Sequence, residues 1–480
     1  MKVALVHYHL QPGGVTRVIE NTVQAWKKNG LCPDQWVVLS GRPYAGGSLE
    51  NVRVVEGLDY ANAQDSPDPK ILRERMEEIA RSALGGLPDL WHIHNHSLGK
   101  NPGLSGAVAE LARSGARMLL QPHDFAEDGR PQNFCNLGGS TDLIYPIAPQ
   151  IHYAVLNRRD QHFLQSTVGG LASPVHLLAN AIAQPPDLRQ SKPGNHLSEI
   201  PENLFLYPVR AVRRKNLGEL ALLAGTHPEF HFANSLGPTN PSFQPVYQSW
   251  IEFARENRLG LTFGLNEQTD ATFAELVNHA QSIINVSVAE GFGLGFLEPW
   301  TFGKSLCGRN ITEITADFSE LGIKLDHLYN ELWIEQKLLD LEDLKGAVSG
   351  MLTRTYAKYQ RPIPADGLDR AMRSISTDKG VSFGRLNETM QKGAILKIIS
   401  SKDALDWVRN QANLGVLDET KIKANQSAVA ENFSLSAYGS KVYRIYEDIL
   451  GAHQEDATFA DGSLMLDQFL CPERINLLRD

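Results

Sequence analysis

The sequence predicts an α/β protein built from two doubly wound domains with parallel sheets. Three observations carry that expectation. At 480 residues the chain exceeds what one hydrophobic core accommodates. Short apolar, β-branched runs alternate with amphipathic helical patterns along most of it, as βα units with buried parallel strands require. A proline-rich stretch poor in apolar residues divides the alternation near its middle. Hydrophobic residues at 42% and charged residues at 21% describe a globular chain. The net charge of −9 argues against a nucleic-acid-binding surface, and against docking on an anionic membrane. The N-terminal MKVALVHYHLQPGG has too short an apolar run for a signal peptide, so a cytoplasmic location is expected. Cys32, Cys135, Cys307 and Cys471 lie far apart in the sequence and are expected to be buried free thiols.

The first domain is expected over residues 1–183. Strands are predicted at 2–8, 35–39, 52–55, 90–94, 117–121, 153–156 and 175–178, with helical patterns such as 70–84 and 104–114 between them. The first strand runs into the turn Gly13-Gly14, at the carboxyl end where open α/β sheets place ligands. His92-Ile93-His94-Asn95-His96 ends another strand; with no carboxylates beside it and its rings read as facing alternate sides, it is not taken as a metal site. Gln121-Pro122-His123-Asp124-Phe125 ends the next, followed by a polar segment, 126–139, expected to be a loop.

Residues 184–202 hold Pro185, Pro186, Pro193 and Pro201 and are expected to form the linker. A second domain is expected over 203–430, with strands at 204–208, 230–233 and 261–264 and helices at 250–256 and 270–280. Long charged helical patterns, 330–354 and 404–412, mark residues 330–430 as an insertion that shapes the acceptor side or makes oligomer contacts. The final part, 431–480, carries the apolar spacing of a helix at 438–450, expected to cross back to the first domain.

The most informative stretch is 283–310. An apolar strand at 283–288 leads into Glu290-Gly291-Phe292-Gly293-Leu294-Gly295, and a helix is expected at about 295–302 with Pro299 in its first turn. Glycines permit close backbone approach, and free N–H groups at a helix start accept phosphate oxygens. Glu290 and Glu298 would repel a phosphate unless they accept hydrogen bonds from sugar hydroxyls. That combination suits a nucleotide-sugar, although an ordinary βα turn with two solvated glutamates has the same spacing.

The sequence EGFGLGFLE, with Glu290 and Glu298 separated by seven residues, resembles the E-x7-E motif of retaining glycosyltransferases of family 4. That resemblance implies the GT-B fold, two Rossmann-like domains facing across a cleft. It implies that Glu290 contacts the donor sugar and Glu298 the ribose, with the amides of Phe292, Gly293 and Leu294 on the diphosphate. Arg210 and Lys215 match the cations that grip that diphosphate, although Val209 stands where a glycine is usual. Gly13 and Gly14 would lie near the donor phosphates, and His123 near the transferred sugar. His94, His96 and Asp124 would face the acceptor, and Gly264-Leu265-Asn266 the base. Residues 178–182 lack the Pro and Gly usual before the linker.

The implied reaction moves a hexose from a nucleoside diphosphate sugar, UDP or GDP ahead of ADP, to a hydroxyl of a small soluble acceptor. No cofactor or metal is expected, because the chain contains no D-x-D. The enzyme is expected to be a possible homo-oligomer, and two other readings remain at this point: a nucleotide-sugar epimerase of the same fold, and a non-catalytic binding or scaffold protein.

Overall fold

A computed structural model describes residues 1–170, 172–183, 197 and 200–479. It divides into two compact units. The first comprises Met1–Ala181, Tyr356–Arg361 and Asn432–Cys471; the second comprises Ile182–Thr355, Pro362–Glu431 and Pro472–Asp480. The expected linker lies outside the described residues, apart from 197 and 200–202.

The first unit's segment Met1–Ala181 carries the strands β1 (Lys2–His7), β2 (Gln35–Ser40), β3 (Val52–Val54), β4 (Leu90–His94), β5 (Met118–Gln121), β6 (Pro146–Ile147), β7 (Ile151–Val155) and β8 (Val175–Leu177). Its helices are α1 (Gly14–Asn29), α2 (Pro69–Leu84), α3 (Pro102–Arg113), α4 (Pro131–Leu137) and α5 (Arg158–Val168). All strands but β6 form one sheet, ordered β3-β2-β1-β4-β5-β7-β8, with every pairing parallel. The order reverses direction between β1 and β4, the kind of switch point outside which α/β sheets bind ligands.

Both faces of this sheet are covered, which is why its strands read as apolar runs. Val3 and Leu5 of β1 pack with Val18, Ile19, Val23 and Trp26 of α1. Ala4 and Val6 point the other way, into a core shared with Leu72 and Met76 of α2 and Val108 of α3. The helix Leu435–Gly451 completes the first face through Tyr438, Val442, Tyr446 and Ile449. It approaches α1 so closely that a Cβ on Gly439 would lie 2.8 Å from that of Ala25. Segment 126–139, expected as a loop, instead contains α4. Pro131 opens that helix at a position where its missing N–H removes no bond.

The second unit carries β9 (Leu204–Arg210), β10 (His231–Leu236), β11 (Leu261–Thr262), β12 (Ser282–Asn285) and β13 (Leu306–Gly308). Its helices include α6 (Leu217–Thr226), α7 (Gln244–Glu256), α8 (Phe273–His279) and α9 (Glu298–Thr301). The sheet is again parallel, ordered β11-β10-β9-β12-β13. Both units are therefore Rossmann-like, as expected. The helix expected from residue 330 begins later, at Leu341–Lys358, where Asp340 Oδ1 accepts the N–H groups of Glu342 and Asp343 at 2.9 and 3.2 Å. Trp333–Ile334 before it is a strand, paired antiparallel with Gly380–Ser382.

The cysteines correct another expectation: Cys307 is buried, but Cys32 and Cys135 are exposed and Cys471 is half-buried. Among the described residues no helix is long and apolar enough to cross a membrane.

Glu127, just before α4, is 1% exposed, and its Oε1 accepts the Tyr145 hydroxyl at 2.8 Å. Burial pushes its carboxyl up to about 7, against the downward pull of that hydrogen bond. A raised folded-state pKa means that the stability attached to the protonated group is complete below the ordinary carboxylate range and is lost as pH rises through about 7. Glu127→Gln, which keeps an acceptor for Tyr145, should match the wild type near pH 4 and exceed it at pH 8. The gain should be on the order of 1–3 kcal/mol. Urea unfolding across that range checks it; an unchanged pH dependence would contradict the assignment.

Candidate active site

The second unit's candidate site forms where two neighbouring parallel strands end. β9 and β12 lie side by side, with Ser282 opposite Phe205 and Ile283 opposite Leu206. The chain after each strand therefore emerges at the same sheet edge. After β9 it passes Ala211 and Val212 into a 3-10 turn, Arg213–Lys215. After β12 the strand was expected to continue to 288, but it stops at Asn285. There the Oδ1 of Asn285 accepts the N–H of Ser287 at 3.0 Å and draws the chain out of the ladder.

The two emerging segments then bind one another. Val288 N–H donates to the Arg214 carbonyl at 2.9 Å, and Arg214 Nη1 donates to the Ala289 carbonyl at 2.9 Å. Glu290 receives two cations on its two oxygens: Arg214 Nη1 on Oε2 at 3.0 Å, and Lys215 Nζ on Oε1. Burial by itself would raise the Glu290 carboxyl, but Lys215 and Arg214 outweigh it and hold the group below the usual carboxylate range. Lys215 shows the opposite balance. Burial lowers its ammonium, and Glu290 offsets part of that fall.

Of the three alternate glycines beyond Glu290, only Gly293 needs to be glycine on backbone grounds. Its φ is +91°, and a Cβ there would lie 2.8 Å from Ile314. The expected helix is two short pieces, a 3-10 turn Leu294–Phe296 followed by α9, with Pro299 in its first turn as anticipated. So short a helix carries little macrodipole, and any anion held here rests on the amides of the loop and turn. Phe292 is buried against Phe318, with ring centroids 5.7 Å apart, whereas Leu294 is exposed. Glu298 is exposed, and its carboxylate accepts no hydrogen bond from the described residues. Surrounding protein still pushes its carboxyl above the ordinary range, while nearby Lys215 pulls it down. Arg210 is exposed at the end of β9, where Nη1 donates to the Gly237 carbonyl at 3.2 Å. Gly264 adopts a left-handed φ of +69° and donates its N–H to Asn234 Oδ1 at 3.1 Å.

Behind this edge lies a network that the sequence did not reveal. Glu219 in the first turn of α6 is fully buried and holds Arg309 through two bonds, Nε to Oε1 at 2.9 Å and Nη2 to Oε2 at 2.6 Å. It also accepts Tyr329 Oη at 2.9 Å and Asn216 Nδ2 at 2.8 Å. Arg309 Nη1 continues to Glu331 at 2.8 Å, which accepts Ser382 Oγ at 2.6 Å. Gln391 Nε2 donates to Asn216 Oδ1 at 2.9 Å. Asn216 is the residue after Lys215 and has a left-handed φ of +53°. Arg309 and Tyr329 lie 90 and 110 positions from Glu219, and Gln391 lies 175 from Asn216, so no local pattern announces these partners.

In the first unit the sequence-predicted residues gather at the ends of β1, β4 and β5. His92 and His94 share one face of β4, with ring centroids 4.3 Å apart. The expected alternation used the wrong period, since consecutive rather than alternate strand residues change face. Asn95, at φ +56°, then turns the chain, so His96 leaves that cluster and its Nε2 meets the Ile144 carbonyl at 3.0 Å. His94 and His96 are fully buried. The resemblance turns both rings toward an acceptor; His94 Nε2 and His96 Nδ1 are buried without a hydrogen-bond partner among the described residues. His94 Nδ1 instead bonds His123 Nε2 at 2.9 Å, with the two rings stacked.

Burial pushes His123 down to about 3 and His92 to about 4, so both are neutral near pH 7. Asn95 fixes the His123 segment, its Oδ1 accepting the N–H groups of His123 and Asp124 at 2.7 and 3.3 Å. An asparagine at a strand end, tolerant of left-handed backbone, was the available signal for that role. Asp124 is half-buried and pairs with Arg130 at 2.5 Å. Gly13 and Gly14 are exposed at the start of α1. Among the described residues no three His, Cys, Asp or Glu side chains are grouped to hold a metal ion.

No family model matches the chain. It is 24% identical over 481 residues to the mannosylglucosyl-3-phosphoglycerate synthase of Petrotoga mobilis, an alignment covering 93% of this chain and 91% of that one. Among solved structures it resembles sucrose-phosphate synthase from Thermosynechococcus elongatus, with a TM-score of 0.51, 15% identity, and 94% of this chain and 99% of that one covered. It also resembles Anabaena HepE, solved with UDP and glucose, with a TM-score of 0.52, 11% identity, and coverage of 93% and 99%. The fold is the GT-B glycosyltransferase fold.

Arg309→Leu would leave Glu219 buried without its cation. Breaking one side of a buried pair typically costs about 3–5 kcal/mol. Equilibrium urea unfolding should register a loss of that size; a loss below about 1 kcal/mol would show that the network does not support the second unit.

Proposed function

We propose that the chain is a retaining glycosyltransferase of the family 4 type, moving a hexose from a UDP- or GDP-sugar to a hydroxyl of a small soluble acceptor. The observation that carries this reading is the convergence of Lys215, Glu290 and the unoccupied Glu298 around a glycine loop at the carboxyl ends of β9 and β12. Lys215, with Arg210 and the loop amides of Phe292, Gly293 and Leu294, meets the diphosphate. Glu290 accepts hydroxyls of the sugar and keeps the partly desolvated Lys215 charged. Glu298, whose carboxylate accepts no hydrogen bond from the described residues, accepts the ribose hydroxyls. The named activity of the Petrotoga relative, and the UDP and glucose bound to HepE, support a nucleotide-sugar donor.

In this mechanism the bond from the sugar's anomeric carbon to the phosphate oxygen breaks, and its electron pair leaves with the nucleoside diphosphate. The acceptor oxygen bonds to the same face of that carbon, and its proton passes to the departing phosphate. Charge therefore grows on the phosphate as the bond breaks, so fixed cations stabilise the transition state more than the ground state. Because protein cations supply this stabilisation, no divalent ion is required. On the first unit, Gly13 and Gly14 take the donor phosphates and the acceptor's near end, with Asp124 beside them. His123 stays neutral, so its contribution is a hydrogen bond to a sugar hydroxyl rather than a charge. A product like that named for the relative is small and polar, which supports a soluble acceptor.

The test is incubation with UDP- and GDP-hexoses and sugar acceptors, with product anomers assigned by NMR. A product of retained configuration, formed equally in EDTA, is expected; an inverted product, or activity abolished by EDTA and restored by magnesium, would overturn the mechanism. Glu298→Ala should weaken donor binding by about 1.5 kcal/mol, roughly tenfold, for loss of an ionised acceptor at a partly exposed site. Affinity within about twofold of wild type would remove Glu298 from the ribose site.

A further inference from the structure

The first unit holds a cavity of about 960 Å³ that no residue discussed so far explains. Its walls are the segment after β3, the turn after β4 and the exposed side of α4, so it lies at the carboxyl ends of the strands. The walls are fixed by two asparagines. Asn101, fully buried, donates to the carbonyls of Gly57 and Asp59 at 2.7 and 2.6 Å. Asn136 donates to the carbonyls of Ala61 and Gly99 at 3.0 and 2.7 Å and accepts the N–H of Ala63 at 2.6 Å. Gly99, at φ +70°, lets the β4 turn touch α4, for a Cβ there would lie 2.1 Å from the Asn133 carbonyl. The cavity is thus built before any ligand arrives.

Its free groups define what fits. The side-chain amides of Gln132 and Asn133 and the carboxylate of Asp65 line it without a hydrogen bond among the described residues. Asp59 gives one oxygen to Arg42, while its Oδ1 is buried and unpartnered. The cation in the lining is Lys100, whose Nζ lies 5.3 Å from the centre of the Tyr60 ring. With Arg42 paired to Asp59, the lining leaves one carboxylate, Asp65, beside one ammonium, Lys100, and so offers no net positive charge to draw an anion. The apolar lining, alanines and a proline, is too slight for an acyl chain. Carboxylates and amides at many angles, beside an exposed aromatic face, suit a group with many hydroxyls and an apolar C–H face. Tyr60 also lies against the chain that follows β1, its ring centroid 4.5 Å from that of His9 and 5.3 Å from that of Tyr8.

Resting on the glycosyltransferase reading, we propose that this cavity is the subsite for a neutral, polyhydroxylated portion of the acceptor, a sugar ring held through Asp65, Asn133 and the face of Tyr60. The probes are glucose and inorganic phosphate, observed by saturation-transfer NMR on the full chain without donor. Glucose should give a transfer signal that Asn133→Leu and, separately, Asp65→Ala each reduce at least threefold while their melting temperatures stay within a few degrees of wild type. Phosphate should not compete with it. In the transfer assay, the same variants should raise acceptor KM at least tenfold more than donor KM. A glucose signal untouched by both variants, or displaced by phosphate, would overturn the subsite. If that signal is lost on substitution but no nucleotide-sugar turns over, the transferase reading fails while the sugar site stands.

Discussion

The ion pair between Glu219 and Arg309 is the constraint on which the second unit's site depends. A carboxylate with no solvent exposure is tolerable only when every lone pair is used, and here Arg309, Tyr329 and Asn216 use them. The consequence reaches the chemistry through Asn216. Held in a left-handed conformation by Glu219 on one side and Gln391 on the other, it fixes the end of the turn that carries Arg214 and Lys215. Those cations in turn set the protonation and position of Glu290. The chain of causes runs from a buried pair, through one asparagine, to the surface where phosphate is proposed to bind.

The same network accounts for much of the region that reads as an insertion. Tyr329, Glu331, Ser382 and Gln391 all lie in or beside it, and each bonds to a member of the Glu219–Arg309 group. Its 3-10 turn at Phe383–Arg385 also helps bury Arg309, since a Cβ on Gly384 would lie 2.5 Å from that guanidinium. These residues brace the site from behind.

Much of this was legible in the sequence, for physical reasons. Strands buried on both faces read as apolar runs, so β1 and the start of β9 announced themselves. The glycine loop and its two glutamates carry enough local chemistry to suggest a nucleotide-sugar. What could not be read were events decided by single contacts or by distant partners. The Asn285 side chain ends β12 early, Asp340 moves the start of a helix, and Gly293 alone among its neighbours needs a left-handed backbone. Glu219 in sequence is an unremarked acidic residue, because its partner lies 90 positions away. The histidines differ in another way: their spacing is visible, but its period places His92 and His94 on one face, where burial keeps them neutral, while Asn95 turns His96 away.

The central claim is that Lys215 and the amides beyond Glu290 hold a nucleoside diphosphate. Hydrogen–deuterium exchange of the full chain with and without saturating UDP or GDP tests it most directly, because it reads those amides without requiring turnover. The account predicts slowed exchange at residues 291–297 and 213–216 with one of the two nucleotides. Unchanged exchange at both segments with both nucleotides would contradict it.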